Sequence, residues 1–198
     1  PDTTYGGYGI KWAHLSNSPF RYYKKYAHEG GIATPLIVHW PKGIKRGNDI
    51  RHTPAHVIDI MATCLDVAGV GYPETFAGEP LHSLDGSSLA GVFNKDGPLH
   101  DSLCWEHHGN RAVRVGDWKL VSVEGGEWEL FNLRDDRTET RDLAAEKPES
   151  RYTAPKIVLN PESIVYTNTM NTINKTPCTQ VQILNLERNS SSVLRFLA

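Results

Sequence analysis

The sequence predicts an α/β protein that finishes in a small antiparallel sheet, and three observations carry that reading. The apolar run Thr34-Pro35-Leu36-Ile37-Val38-His39-Trp40, closed by Pro41, has the length and content of a short strand buried on both faces. Val57, Met61, Leu65 and Ala68 then fall at i, i+4, i+8 and i+11, which is one face of a helix placed to pack on that strand's sheet. Beyond residue 100 the period drops to two. Leu103, Trp105 and His107 alternate, and further β-leaning runs follow at 112–115, 118–123 and 128–133. Gly116-Asp117 and Gly125-Gly126 separate the later runs as hairpin signals.

Taken in order, residues 1–9 are rich in Gly and Tyr and read as loop. Residues 18–28 mix aromatics and bases without a clean period, so a short irregular helix and an ordered loop both fit. Pro41-Lys42-Gly43 ends the first strand, and Gly47-Asn48-Asp49 supplies turn chemistry before Arg51. Thr53-Pro54 has the form of an N-cap with Pro at the first helical position, and Gly69 is the stop expected after the helix. His56 and Asp59, three apart on that helix, either pair, bind a metal or simply form its polar surface. Pro73, Pro80 and Pro98 mark 71–100 as a loop-rich connection, with one short helical turn opening near 85–89. A helix over about 138–146 closes the small sheet.

Hydrophobic content of 39% and charged content of 22% are ordinary for a globular chain of 198 residues. A net charge of −2 points to neither a nucleic-acid footprint nor a polybasic membrane face. No apolar run approaches the roughly 20 residues of a membrane span. No signal peptide is visible, but the first residue is Pro1, so the chain is expected to begin inside a longer gene product. Cys64, Cys104 and Cys178 are odd in number and widely spaced, which gives neither a metal pair nor a disulfide framework. The first two are expected as buried free thiols.

Composition shifts near residue 150. All 17 glycines, nine histidines and five tryptophans lie before it. The remainder holds five basic and two acidic residues, a net of +3 against −5 for the first 150. The tail contains β-leaning pieces at 156–159, 163–166, 180–184 and 193–197, and the glycosylation triplets Asn174-Lys175-Thr176 and Asn189-Ser190-Ser191.

The most informative stretch is Pro19-Phe20-Arg21-Tyr22-Tyr23-Lys24-Lys25-Tyr26-Ala27-His28-Glu29-Gly30-Gly31. Glycines ahead of a strand let backbone pass close to a ligand, and a lysine just upstream is placed to meet an anion. Lys24 and Lys25 also read as solvated charges at a helix end. The order of the residues resembles the sulfatase family, the arylsulfatase-like hydrolases of the alkaline phosphatase superfamily. Trp12-Ala13-His14-Leu15-Ser16-Asn17-Ser18, the run Trp105 to Leu120 (WEHHGNRAVRVGDWKL), Trp128-Glu129-Leu130-Phe131-Asn132-Leu133 and Asp136-Arg137-Thr138-Glu139 look like the same family, in consistent order over roughly 8–149.

The resemblance implies that residues 1–96 are the end of the large α/β sulfatase domain and 97–150 its small antiparallel C-terminal subdomain, with 151–198 unassigned. It implies hydrolysis of sulfate esters by a formylglycine nucleophile made from a Cys/Ser-x-Pro-x-Arg motif, beside a divalent cation, usually calcium, that polarises the sulfate oxygens. Neither that motif nor the family's Asp-Asn metal pair occurs in these 198 residues. Both cofactors are therefore expected on sequence outside this chain, with none within it, and the chain alone is expected to be inactive. The lysine five residues before Glu-Gly-Gly contacts the sulfate in the family; here it is Lys24. His14 is a candidate for the substrate rim. His107, Asn110 and Arg111, with His108, are candidates to contact the leaving group; the alternative is that Trp105, Glu106 and Arg111 bind the two domains together. The partner implied is a sulfated small molecule or glycan, with no nucleic acid and no membrane, in an exported or lysosomal setting. Two alternatives stand beside this: a formylglycine-type phosphonate or phosphodiester hydrolase, and a non-catalytic glycan-binding module.

Overall fold

The computed structural model describes Gly7, residues 9–146 and the backbone of a strand at 193–196. The readings for residues 1–6, for the tail pieces before 193, for Cys178 and for both glycosylation triplets lie outside the described residues. Helix α1 (Gly9–Ser16) and the one-turn helix α2 (Glu29–Ile32) precede strands β1 (Leu36–His39) and β2 (Asp49–Arg51). Helix α3 (Ile58–Ala68), a minimal hairpin of β3 (Thr75–Phe76) and β4 (Glu79–Pro80), and a 3-10 turn (Leu89–Val92) follow. Strands β5 (Leu103–His107), β6 (Asn110–Val115), β7 (Trp118–Ser122) and β8 (Glu129–Asn132) come next, and β9 (Val193–Phe196) ends the series.

These elements form two compact units. One joins the segment ending at Ile32 to the stretch beginning at Cys104; the other holds Ala33–Leu103 with β9. The first unit is thus discontinuous in sequence, whereas the boundary at 96 follows from the family resemblance and that at 150 from composition.

In the unit from Ala33 to Leu103, β9 lies between β1, antiparallel, and β2, parallel. Leu36, Val38 and Trp40 pack against a core of Ile44, Ala55, Leu89, Val92 and Phe93. Ile37 is 54% exposed, so β1 is buried on one face and not on both. Helix α3 is capped at Val57, four residues after the expected cap Thr53. Thr53 donates its hydroxyl to the Gly97 carbonyl instead (3.0 Å), and the first turn is closed by Asp59, whose carboxylate accepts the His56 N–H (2.7 Å). Gly69 does end the helix in the left-handed region at φ 66°, donating to the Asp66 carbonyl.

The inward face of α3 is not the apolar one. Asp59, Ala62 and Thr63 are buried, while Met61 is 56% exposed. The reason is a satisfied polar hub. Asp59 also accepts Ser87 N–H (2.9 Å) and His100 Nε2 (2.9 Å), and Thr63 Oγ1 donates to the Asp59 carbonyl (2.6 Å) while accepting Leu89 N–H (2.9 Å). With every group paired, burial costs little. His56 and Asp59 therefore pair in the interior and do not form a polar helix surface. Across from β1, α3 leaves an open apolar cavity of about 190 Å³ that Ile60, Cys64 and Val67 help to line.

The other unit contains the sheet in the order β5-β6-β7-β8, with antiparallel pairing from β6 to β8. The expected alternation is present and gives the sheet two different faces. Val113, Leu120 and Leu130 form one, capped by Ala144 and Leu143. Because Ala112 pairs with Val121 and Lys119 with Phe131, the opposite face carries Ala112, Lys119, Val121, Glu129 and Phe131. The same alternation sends Leu103 and Trp105 inward and Cys104 outward, so Cys104 is exposed, as is Cys64 on α3; neither is the buried thiol expected.

No helix forms over 138–146; the segment is a series of turns. Side-chain acceptors take the backbone groups a helix needs. The Asp136 carboxylate accepts Thr140 N–H and Arg141 N–H (2.8 Å each), and Asp142 accepts Leu130 N–H (2.9 Å) and Ala144 N–H (2.8 Å). Glu139 is left-handed at φ 56°.

Candidate active-site loop

The loop from α1 to α2 presents Lys24. Helix α1 closes with Ser16 Oγ donating to the Trp12 carbonyl (2.8 Å) and Asn17 Nδ2 donating to that of Ala13 (2.7 Å), which uses two of the carbonyls its last turn leaves free. A cis Ser18–Pro19 peptide follows. Of the two forms open for residues 18–28, the chain adopts an ordered loop. Tyr26 N–H donates to the Tyr23 carbonyl (3.1 Å) and Gly30 N–H to that of Arg21 (2.9 Å).

The Glu-Gly-Gly signature has a steric meaning here. A Cβ on Gly30 would collide with the Arg21 and Tyr22 carbonyls, and one on Gly31 with the Tyr26 carbonyl. Only glycine lets the loop close onto α2. The loop itself is strained, since Tyr22 (φ 61°) and Lys25 (φ 98°) are both left-handed without being glycine. Aromatic packing offsets that: Tyr22 stacks on Tyr26 at 4.4 Å, and Tyr23 meets Tyr26 edge-on at 5.3 Å. His14 joins the cluster, edge-on to Tyr23 at 5.1 Å and Tyr22 at 5.9 Å. Lys24 and Lys25 remain exposed to solvent.

Beneath the loop lies the charged face of the sheet. Glu129 accepts from Arg21 Nη1 through Oε1 (3.0 Å) and pairs with His28 Nε2 through Oε2 (2.6 Å). The His28 hydrogen bond, opposed by partial burial and supported by Arg21, holds the Glu129 carboxyl below the usual carboxylate range. Arg21 Nη1 also donates to the Glu139 carbonyl (2.8 Å). One step on, Lys119 Nζ sits 2.8 Å from both Glu29 Oε1 and Glu139 Oε1. Glu139 Oε2 accepts Glu29 N–H (2.7 Å), and Arg137 Nε reaches Glu29 Oε2 at 3.4 Å. Lys119, Glu29 and Glu139 are all at most 1% exposed.

Of the candidates named from sequence, His14 on α1 packs on Tyr22 and Tyr23 of the loop that carries Lys24. His107, Asn110 and Arg111 belong to the β5–β6 hairpin. Asn110 is buried and its amide is spent on the turn, donating to the His107 carbonyl (3.0 Å) and accepting Glu124 N–H (3.3 Å). Arg111 Nε donates to the Gly109 carbonyl and its guanidinium lies 5.9 Å over Trp128. His107 and His108 are exposed and edge-on at 4.4 Å. Sequence reasoning missed the roles of Lys119, Glu129 and Glu139. The available signal was a charge at the inward position of an apolar strand, Lys119 in step with Val121 and Glu129 with Phe131. Among the described residues no group of three or more His, Cys, Asp or Glu side chains is arranged to hold a metal ion.

Residues 19–157, more than half of the chain, match the family model described as N-sulphoglucosamine sulphohydrolase, C-terminal. The chain belongs to the sulfatases. The match takes in the Lys24 loop, Glu29-Gly30-Gly31 and the whole four-stranded sheet. An uncharacterized sulfatase of Schizosaccharomyces pombe is 35% identical over 120 residues, 59% of this chain and 22% of its own length. A sulfatase of Formosa agariphila is 32% identical over 103 residues, 50% of this chain and 18% of its own. An arylsulfatase of Klebsiella aerogenes is 33% identical over 86 residues, 43% of this chain and 18% of its own. The chain thus spans about a fifth of the length of these sulfatase relatives. Among solved structures, Ps i-CgsB in complex with a neocarrahexaose aligns over 66% of this chain and 29% of that one, at 24% identity and a TM-score of 0.49. A protein solved with D-glucosamine-2-N,6-O-disulfate aligns over 56% of this chain and 24% of that one, at 19% identity and a TM-score of 0.38. The helices and mixed strands of this sulfatase chain are those of an α/β protein with a small antiparallel sheet. Among the described residues no helix is long and apolar enough to cross a membrane.

Proposed function

We propose that this chain is the C-terminal part of a sulfuric ester hydrolase and that Lys24 supplies the cation that meets the sulfate of a sulfated sugar or small molecule. One observation carries the reading: Lys24 stands exposed on a strained, aromatic-packed loop that glycine alone allows to close, inside the region matched by the sulfatase family. A lysine ammonium is a compact point charge that can approach one ester oxygen and favour the negative charge that grows during transfer. His14, packed on Tyr22 and Tyr23, borders the same loop and is the next group a sugar ring would meet.

The nucleophile of this reading is a formylglycine and its metal is calcium, both supplied by sequence outside these 198 residues. What this chain contributes is binding and orientation. The purified chain is therefore expected to bind inorganic sulfate or glucosamine 6-sulfate and to release no phenol from an aryl sulfate. In an NMR titration, Lys24→Ala weakens sulfate binding about fivefold, the loss expected of one solvated charge pair near 4 Å. Turnover of the aryl sulfate, or a Lys24→Ala titration identical to the parent chain's, would contradict the proposal.

A further inference from the structure

We infer that Glu129 is a positioning residue for Lys24, a single carboxylate on β8 that clasps both ends of the loop presenting that lysine. What Lys24 then does rests on the sulfate reading above; the clasp itself rests on geometry. The loop leaves the body of the unit at Arg21 and returns at His28. Those two residues take different oxygens of the same carboxylate, Arg21 on Oε1 at 3.0 Å and His28 on Oε2 at 2.6 Å. Between them the Tyr26 N–H donates to the Tyr23 carbonyl, and at the glycine base the Gly30 N–H donates to that of Arg21. Glu129 is therefore the shared anchor of the two feet.

The clasp is well made for the task. His28 is fully buried, and Phe131, two residues on from Glu129, packs against its ring at 6.4 Å. The Arg21 guanidinium lies 5.7 Å over the same Phe131 ring, so both partners are held by packing as well as by charge. Arg21 is further fixed by the Glu139 carbonyl. Charge-assisted hydrogen bonds in a partly buried setting are the stronger kind, and a carboxylate accepts two of them at a fixed separation. A loop with its feet locked at that separation loses little further freedom when an anion arrives, and this preorganisation favours binding.

The test uses the whole 198-residue chain, with inorganic sulfate as the probe, and compares Glu129→Ala, Lys24→Ala and the double variant. The clasp predicts that Glu129→Ala speeds amide exchange at residues 22–27 about tenfold or more, the effect of losing one or two charge-assisted bonds, while β6 and β7 keep their protection. It also predicts that Glu129→Ala weakens sulfate binding, and that adding Lys24→Ala weakens it less than the two single losses combined, because the first acts through the second. Unchanged loop exchange would overturn the clasp. So would fully additive losses, which mean Glu129 acts apart from Lys24. If Lys24→Ala alone leaves sulfate binding intact, the sulfate reading fails and loop exchange still decides the clasp. Should Glu129→Ala not fold, Glu129→Gln is isosteric, keeps one acceptor, and must show smaller loosening confined to the same six residues.

Discussion

The two units bury carboxylates in different ways. In the sheet unit, Glu29 and Glu139 are neutralised by a cation, Lys119, with Arg137 beside it. In the other unit, Asp59 is fully buried and is held by two backbone N–H groups and His100. A charge balanced by another buried charge is all-or-none: remove one member and the rest is stranded. A charge balanced by amide dipoles degrades in smaller steps, since each donor is one of several. The comparison also fits what each unit carries. The lysine-centred network sits at the base of the Lys24 loop, through Glu29 of α2; the aspartate hub organises the start of α3 and the turn at Ser87.

The largest break should come from Lys119→Met. It leaves Glu29 and Glu139 buried together without the ammonium that touches both, and should cost about 3–5 kcal/mol in urea unfolding. Replacing all three as Lys119→Met, Glu29→Gln, Glu139→Gln should recover a substantial part of that loss. A Lys119→Met change costing under about 1 kcal/mol would mean the network is hydrated and the contrast false.

The second effect belongs to the aspartate hub and is a pH dependence. Burial lowers the His56 pKa to about 4, with Asp59 opposing the shift and His100 adding to it. The unfolded chain takes up this proton near pH 6.5 and the folded chain near 4, so this contribution is complete above 6.5 and is lost as pH falls toward 4. The loss should reach about 3 kcal/mol. Trp40 is the one tryptophan between Ala33 and Leu103, so its fluorescence follows this unit in denaturant titrations at successive pH values. His56→Gln should flatten the slope between pH 6.5 and 4.5; an equally steep slope would assign it to another group.

The smallest effect sharpens the stepwise character of the hub. Thr63→Val removes the hydroxyl that accepts Leu89 N–H and leaves that amide buried without its partner, which should cost about 1–2 kcal/mol. A loss as large as that of Lys119→Met would erase the distinction between the units.

Much of this molecule was legible from its residues because the signals are local. Alternation over Leu103, Trp105 and His107 is a property of neighbours two apart, and it placed the strands of the sheet. Gly116-Asp117 and Gly69 mark ends through backbone conformations that belong to those residues themselves. The order Arg-aromatic-Lys-Glu-Gly-Gly, with the tryptophan-rich runs downstream, pointed to the sulfatases without any geometry. Other features depend on groups far apart in the chain. Glu129 meets Arg21 across 108 positions and His28 across 101, and Lys119 meets Glu29 across 90. No period or local propensity reports such pairs. The same holds where sequence reading went astray: apolar periodicity put Met61 inside, but a paired Asp59 and Thr63 could be buried instead, and the helix expected at 138–146 yielded to carboxylates of Asp136 and Asp142 that capture its amides. Sequence alone determined the strands of the small sheet, the stop at Gly69 and the family, while β2 and the β3–β4 hairpin fell in stretches read as loop. Tertiary structure decided which charges are buried and what they hold, because only contact between distant segments can compensate a charge removed from water.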